Sequence, residues 1–342
     1  MKDVRLLVAA LRDPASVTGL SGEGWTALVA IARAESLLGS LAFRLRDQAA
    51  PERVSVILAE ARDHAELARR QALWEAEMAR RALAPLGVPV ILLKGTAYAA
   101  AGLRASEGRS IGDLDILVPR ESLPVVETAL LGAGWEWVKE DAYDDLYYRQ
   151  WMHELPPLIH RERDRMIDVH HTILPLTARP KPLPREMIEK SRPLSNGLRV
   201  LSPEHMILHA AAHLIADGDL SGGLRNLWDI DCLFRQFSGS DGDFHLRVFE
   251  EASAHGLEPQ VARSFRLAQQ IFGTPLPAYS TTLRSILSER RSDAHFRARL
   301  LARNGWGKET RKGLRLAFYI RSHWLRMPPL MLARHLWTKA RR

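Results

Sequence analysis

The sequence predicts an α+β fold in three parts: a helical segment over residues 1–84, a small sheet with flanking helices over 85–200, and a helical domain with a basic tail over 201–342. Three observations predict it. From Pro51 to Pro85 the chain is rich in Ala, Glu, Arg and Leu with no intervening Gly or Pro, the composition of a long helix that stops at a proline and a glycine. Next come short β-branched apolar runs, "VPVILL" and "DLDILV", alternating with the helix-like "TAYAAAGL" and "ESLPVVETALLGAG". After Pro203 the patterning is helical again.

Within the central part, "HELPPLIH" and "MIDVHHT" flank the charged turn "RERDR" and read as a hairpin. Beyond it, "SPEHMILHAAAHL" opens a helix with Ser202 at the N-cap and Pro203 at the first helical position. Trp25, Trp74 and Trp228 fall in helical periodicity and are expected in the core. Internal repeats and low-complexity segments are absent.

Composition narrows the class. The 342 residues are 46% hydrophobic, enough for a sizeable core and against a disordered chain. One cysteine, Cys232, has no internal partner, which argues against a disulfide scaffold or a cysteine-ligated zinc site and points to a reducing cytoplasm. No stretch approaches the roughly 20 apolar residues of a membrane span, and the N-terminus lacks the apolar core of a signal peptide. The net charge of +8 is a property of the tail: residues 301–342 hold eleven Lys or Arg against one acid, Glu309. There Arg alternates with Leu, Met, Trp324 and Trp337, a pattern open to an acidic partner, a membrane surface or RNA. A self-packed amphipathic helix with a solvated basic face is the simpler account.

The chemistry concentrates between Ile91 and Arg120. In "DLDILV" alternation places Asp113, Asp115 and Leu117 on one face and Leu114, Ile116 and Val118 on the other. Two carboxylates so close raise each other's pKa unless a cation lies between them. A hard divalent ion such as Mg²⁺, held by one or two carboxylates plus substrate phosphates, suits that pair. Upstream, "LLKGT" sets Lys94, Gly95 and Thr96 where a strand gives way to a helix, and free backbone N–H groups at such a turn favour an anion. Taken alone, "LLKGT" is an ordinary strand-to-helix turn.

The order "LLKGTAYA", "GRS", "DLDILV" resembles the nucleotidyltransferase superfamily of the polymerase-β type. It is most similar to an uncharacterised bacterial branch with "LKG…R…DIDLLV", related to nucleotidyltransferase-type toxins of abortive-infection systems. The specific likeness covers Val88 to about Thr172. It implies a minimal nucleotidyltransferase sheet and transfer of a nucleoside monophosphate from an NTP, ATP being the expected donor, with release of pyrophosphate. It further implies that Gly95 and Thr96 contact the triphosphate and that Asp113 and Asp115 hold two Mg²⁺. Arg109 and Ser110 match the family's "R-S", where an arginine fork would neutralise phosphate. Thr96 stands where many members carry Ser or Gly.

The superfamily adds a third carboxylate, for which Asp168 of "MIDVHHT" is the first candidate, sharing its face with His170; Glu154 and Asp164 remain alternatives. His205, His209 and His213 lie along one helix face, but the outer two are separated by roughly 12 Å of helical rise, too far to share an ion. They are expected to pack or touch substrate. Arg225 and Asp229 are expected near the cleft, Asp229 as a helix-pairing residue. The acceptor is open, with a small molecule or peptide preferred over a toxin-like action on RNA. An inactive nucleotide- or partner-binding module is the competing class, and the intact Asp113 and Asp115 count against it.

Overall fold

A computed structural model describes residues 3–139, 141–239, 241–276, 287–288 and 290–326. The chain opens with α1 (Arg5–Arg12), α2 (Gly22–Ala34) and α3 (Leu38–Arg44), followed by α4 (Glu52–Leu83). Strong helix formers carry α4 through 32 residues. Its exposed flank is laced by Glu66–Arg69 and Glu77–Arg80 pairs at i,i+3 spacing. Pro85 ends it through a single 3₁₀ turn, and Gly87 reverses the chain at a left-handed φ of 65° that suits glycine.

The central part builds β1 (Ile91–Leu92), α5 (Lys94–Ala100), β2 (Leu114–Leu117), α6 (Leu123–Gly132), β3 (Trp135–Trp137), α7 (Ala142–Trp151), β4 (Leu158–His160), β5 (Met166–His170), α8 (Pro184–Glu189), β6 (Arg192–Pro193) and β7 (Arg199–Val200). The seven strands form one mixed sheet in the order β3-β4-β5-β2-β1-β7-β6. β1 and β2 are antiparallel, whereas β2 and β5 are parallel. The expected hairpin forms, β4 against β5. Residues 153–155 extend it through a bridge between Glu154 and His170. Strands β3, β6 and β7 add to the sheet read from sequence; at two or three residues each they are too short to show alternation. Pro193, lacking an N–H, sits in the edge strand β6, where it removes no interior ladder bond.

Helices α9 (Pro203–Ala212), α10 (Gly223–Ser238), α11 (Phe244–Ala254) and α12 (Glu258–Phe272) follow, then helices Asp293–Leu300 and Lys312–Arg326. Ser202 caps α9 by accepting from the His205 N–H at 3.3 Å. One apolar cluster runs through all three parts, from Leu7 and Ile31 through Ile116 and Val169 to Phe234 and Phe265.

Trp25 and Trp228 are buried as expected, but Trp74 is 55% exposed. It lies on the solvent side of α4, whose buried apolar stripe is carried between Leu58 and Leu83 by small residues, Ala65, Ala72, Ala76 and Ala79. The tail helix packs through Phe318, edge-on to Phe296 at 5.0 Å, and leaves Leu316, Tyr319, Ile320 and Trp324 exposed. Arg321, expected on a solvated basic face, instead donates to the Ile215 carbonyl at 2.7 Å and lies 4.9 Å above the Phe296 ring. Trp337 lies outside the described residues. Among the described residues no helix is long and apolar enough to cross a membrane.

Candidate active site

The register of β2 and β5 sets the site. Asp115 pairs with Asp168 across the parallel ladder, which puts both side chains on one face, and Asp113 lies at the bend just before β2. Each of the three offers a carboxylate oxygen, and these oxygens all lie within 4.8 Å of one another. Asp113 is exposed, Asp168 half-buried and Asp115 buried. On the other face Ile167 and Val169 are buried in the core, so apolar packing fixes the strands that aim the acids.

Two cationic or proton-bearing groups meet Asp115. The Leu93 N–H donates to the Asp115 carbonyl at 3.0 Å, extending the β1–β2 ladder by one residue. Lys94 then turns the chain into α5 at a φ of 48°, an uncommon conformation for a residue with a side chain. Its Nζ lies 2.6 Å from Asp115 Oδ1, and His170 Nε2 is 3.0 Å from the same oxygen. Burial on its own would raise the Asp115 carboxyl, but the Lys94 ammonium and the His170 hydrogen bond outweigh it and hold the group below the usual carboxylate range. Burial would likewise lower Lys94; the carboxylates of Asp115, Asp113 and Asp168 outweigh that and hold it above its ordinary value.

Asp168 is displaced the other way. Burial first, then the neighbouring Asp115 and Glu154 charges, push its carboxyl from 3.8 up to about 7. The folded state therefore binds this proton more tightly than the unfolded chain does. The stability it contributes is full below pH 3.8 and is lost as pH rises through about 7. In chelator, Asp168→Asn is expected to flatten the pH dependence of the urea midpoint across that window and to stabilise the protein at pH 8 by about 1–4 kcal/mol. An unchanged slope would show that Asp168 titrates normally.

The remaining predicted residues are placed differently. Gly95 is buried, and a Cβ there would lie 2.5 Å from Arg109 Nε; its lack of a side chain makes room for that arginine. Thr96 is buried with an Oγ1 that makes no hydrogen bond. Arg109 is held by Asp229, which also binds Arg225 at 2.8 Å, so Asp229 pairs elements as expected and is the hydrogen-bond partner of Arg109, with Asp115 near enough to act on its charge. Ser110 is exposed. Of the alternative acids, Asp164 lies in the hairpin turn, and Glu154 faces His170, its Oε2 3.3 Å from Nδ1.

The histidine face divides. His205 Nε2 bonds Glu251 at 2.9 Å, beside Lys190, which reaches the same carboxylate at 2.7 Å; this cluster ties α8, α9 and α11 together. His209 is buried, and burial followed by the Lys94 charge drives it well below the ordinary histidine value, so it stands neutral behind Lys94. No metal-type grouping joins any two of His205, His209 and His213 among the described residues.

Strand-borne carboxylates beside a lysine at a strand-to-helix turn are the arrangement the sequence motif implies. A family model described as uncharacterised nucleotidyltransferase matches residues 21–273. The chain belongs to this nucleotidyltransferase family. No curated protein matches it. Membership extends the relation well beyond Val88–Thr172: helices α2 to α4 and α9 to α12 belong to the matched region. This nucleotidyltransferase carries the mixed α+β fold that such membership implies, and the acid and histidine groups on its sheet face have the donor chemistry to hold a divalent metal.

Proposed function

We propose that this nucleotidyltransferase moves a nucleoside monophosphate from an NTP, ATP foremost, to a hydroxyl or similar acceptor on a small molecule or peptide, releasing pyrophosphate. One observation carries the reading: carboxylates from two adjacent strands and from the bend before one of them converge within 4.8 Å with Lys94 bound to only one of them. Hard oxygen donors in that number fit Mg²⁺, and Asp113, Asp115 and Asp168 are the residues that would hold it. Bound there, two such ions would neutralise triphosphate charge and lower the pKa of the attacking hydroxyl.

The chain's own groups have separate tasks in this reading. Lys94 and His170 keep Asp115 ionised and fix its Oδ1. Lys94 also presents an ammonium to the incoming phosphates. Asp168 completes the ligand set or accepts the acceptor's proton. Asp168→Asn separates these roles, since loss of a base lowers turnover and loss of a ligand weakens the donor's binding as well.

The test is incubation of the full chain with each labelled NTP, Mg²⁺ and a cell extract fractionated into small molecules, protein and RNA. Label in the small-molecule or peptide fraction is expected. Label in RNA alone would replace the acceptor class, and label nowhere with any NTP would overturn nucleotidyl transfer.

A further inference from the structure

A second cluster adjoins the acids and shares with them His170, whose Nε2 bonds Asp115. His153, Glu154 and His170 each offer a ligand atom, and these atoms lie within 4.8 Å of one another. The backbone holds them in place. Glu154 bridges His170 across the hairpin, the His171 N–H donates to the His153 carbonyl at 2.9 Å, and the Leu155 N–H donates to the Val169 carbonyl at 2.9 Å.

His170 is buried, and its hydrogen bonding is one-sided. Nε2 faces Asp115 Oδ1 at 3.0 Å, whereas Nδ1 faces Glu154 Oε2 at 3.3 Å and makes no hydrogen bond. A cation seated between Nδ1 and that carboxylate would be bound by both while Nε2 keeps its partner.

We propose that His153, Glu154 and His170 Nδ1 form a site for a first-row divalent ion of borderline softness, Zn²⁺ foremost, distinct from the three-aspartate site. The distances agree. Metal–ligand bonds of about 2.0–2.1 Å set the edge of a tetrahedron at about 3.4 Å; His170 Nδ1 to Glu154 Oε2 is 3.3 Å and His153 Nε2 to Glu154 Oε2 is 3.6 Å. Two imidazoles on one such ion have ring centroids about 5 Å apart by the same bond lengths, and those of His153 and His170 are 5.1 Å apart. Imidazole and carboxylate together select Zn²⁺ over the harder Mg²⁺. The second shell is also present, because a metal-bound histidine characteristically donates its other N–H to a carboxylate, here Asp115. Three protein ligands leave a fourth position for water.

The site stands independently of the nucleotidyl-transfer reading, and its test reads the metal directly. Full-length protein stripped with chelator is titrated with Co²⁺, whose visible bands report tetrahedral geometry. One equivalent is expected to develop those bands and Zn²⁺ to bleach them. Glu154→Gln and, as a second variant, His153→Gln should weaken Co²⁺ by at least about a hundredfold, and Asp115→Asn by about tenfold as loss of the outer partner. Asp168→Asn should leave the bands in place. Circular dichroism of each metal-free variant confirms folding. Absence of bands at one equivalent would overturn the site. So would bands that survive Glu154→Gln and His153→Gln but vanish in Asp113→Asn or Asp168→Asn, because the ion would then sit on the three aspartates.

Discussion

Asp115→Asn is expected to lower nucleotide transfer by at least about a hundred- to a thousandfold, the scale on which a single charge-stabilising group acts in a transition state. The position is central in three respects. Asp115 is in register with Asp168, so its oxygens lie beside the second carboxylate. Its Oδ1 is held by both Lys94 and His170, which leaves little freedom for rearrangement. It is also the buried member of the trio, where a charge acts in low dielectric and is worth more than at the surface. Asparagine keeps the shape and one acceptor oxygen while removing the charge, so the measured loss belongs to the electrostatics. Asp113→Asn, on an exposed residue, should fall less far. Transfer in Asp115→Asn within about tenfold of the parent would remove the residue from the chemistry.

Sheet alternation made much of this face legible. The pattern in "DLDILV" and "MIDVHHT" put Asp113, Asp115, Asp168 and His170 on faces that the structure then sets side by side. A period of two needs only four or five residues to be readable. What decides how those residues behave is tertiary. The turn that holds Lys94 was read as a place for an anion, and the structure gives Lys94 a carboxylate partner 21 residues on. The resemblance implied that Gly95 contacts the triphosphate, and the space beside it is filled by Arg109. Arg109 in turn has its partner 120 residues on, in α10, a distance over which no local pattern carries information. The pairing of Glu154 with His170 was hidden by the Pro-Pro that interrupts its strand. Trp74 was misplaced because periodicity finds a helix's stripe without showing how wide the buried side is; on α4 alanines fill it.

Asp229→Ala is expected to destabilise the protein by about 3–5 kcal/mol, the cost of leaving a buried charge without its partner. Asp229 is 3% exposed and serves two guanidiniums at once, Arg109 through Oδ2 and Arg225 through Oδ1. Arg225 also donates to Ser40 Oγ at 2.6 Å and to the Ala105 carbonyl at 3.1 Å, so the cluster joins α3, the chain before β2, and α10. Removing the carboxylate strands two arginines in the interior, whereas removing both members of one pair need not be costly, since well-packed apolar replacements of buried ion pairs are often neutral. Urea midpoints of Asp229→Ala, Arg109→Met and the double variant should therefore be non-additive, the double being less destabilised than the sum of the singles. The same series decides what Arg109 does. A structural arginine shows its whole effect in the midpoint, with NTP affinity following only the folded fraction. If Arg109→Met leaves the midpoint within about 0.5 kcal/mol and weakens NTP binding in a salt-dependent way, the arginine leaves Asp229 to meet phosphate when the donor binds, and the phosphate role implied by the family motif stands.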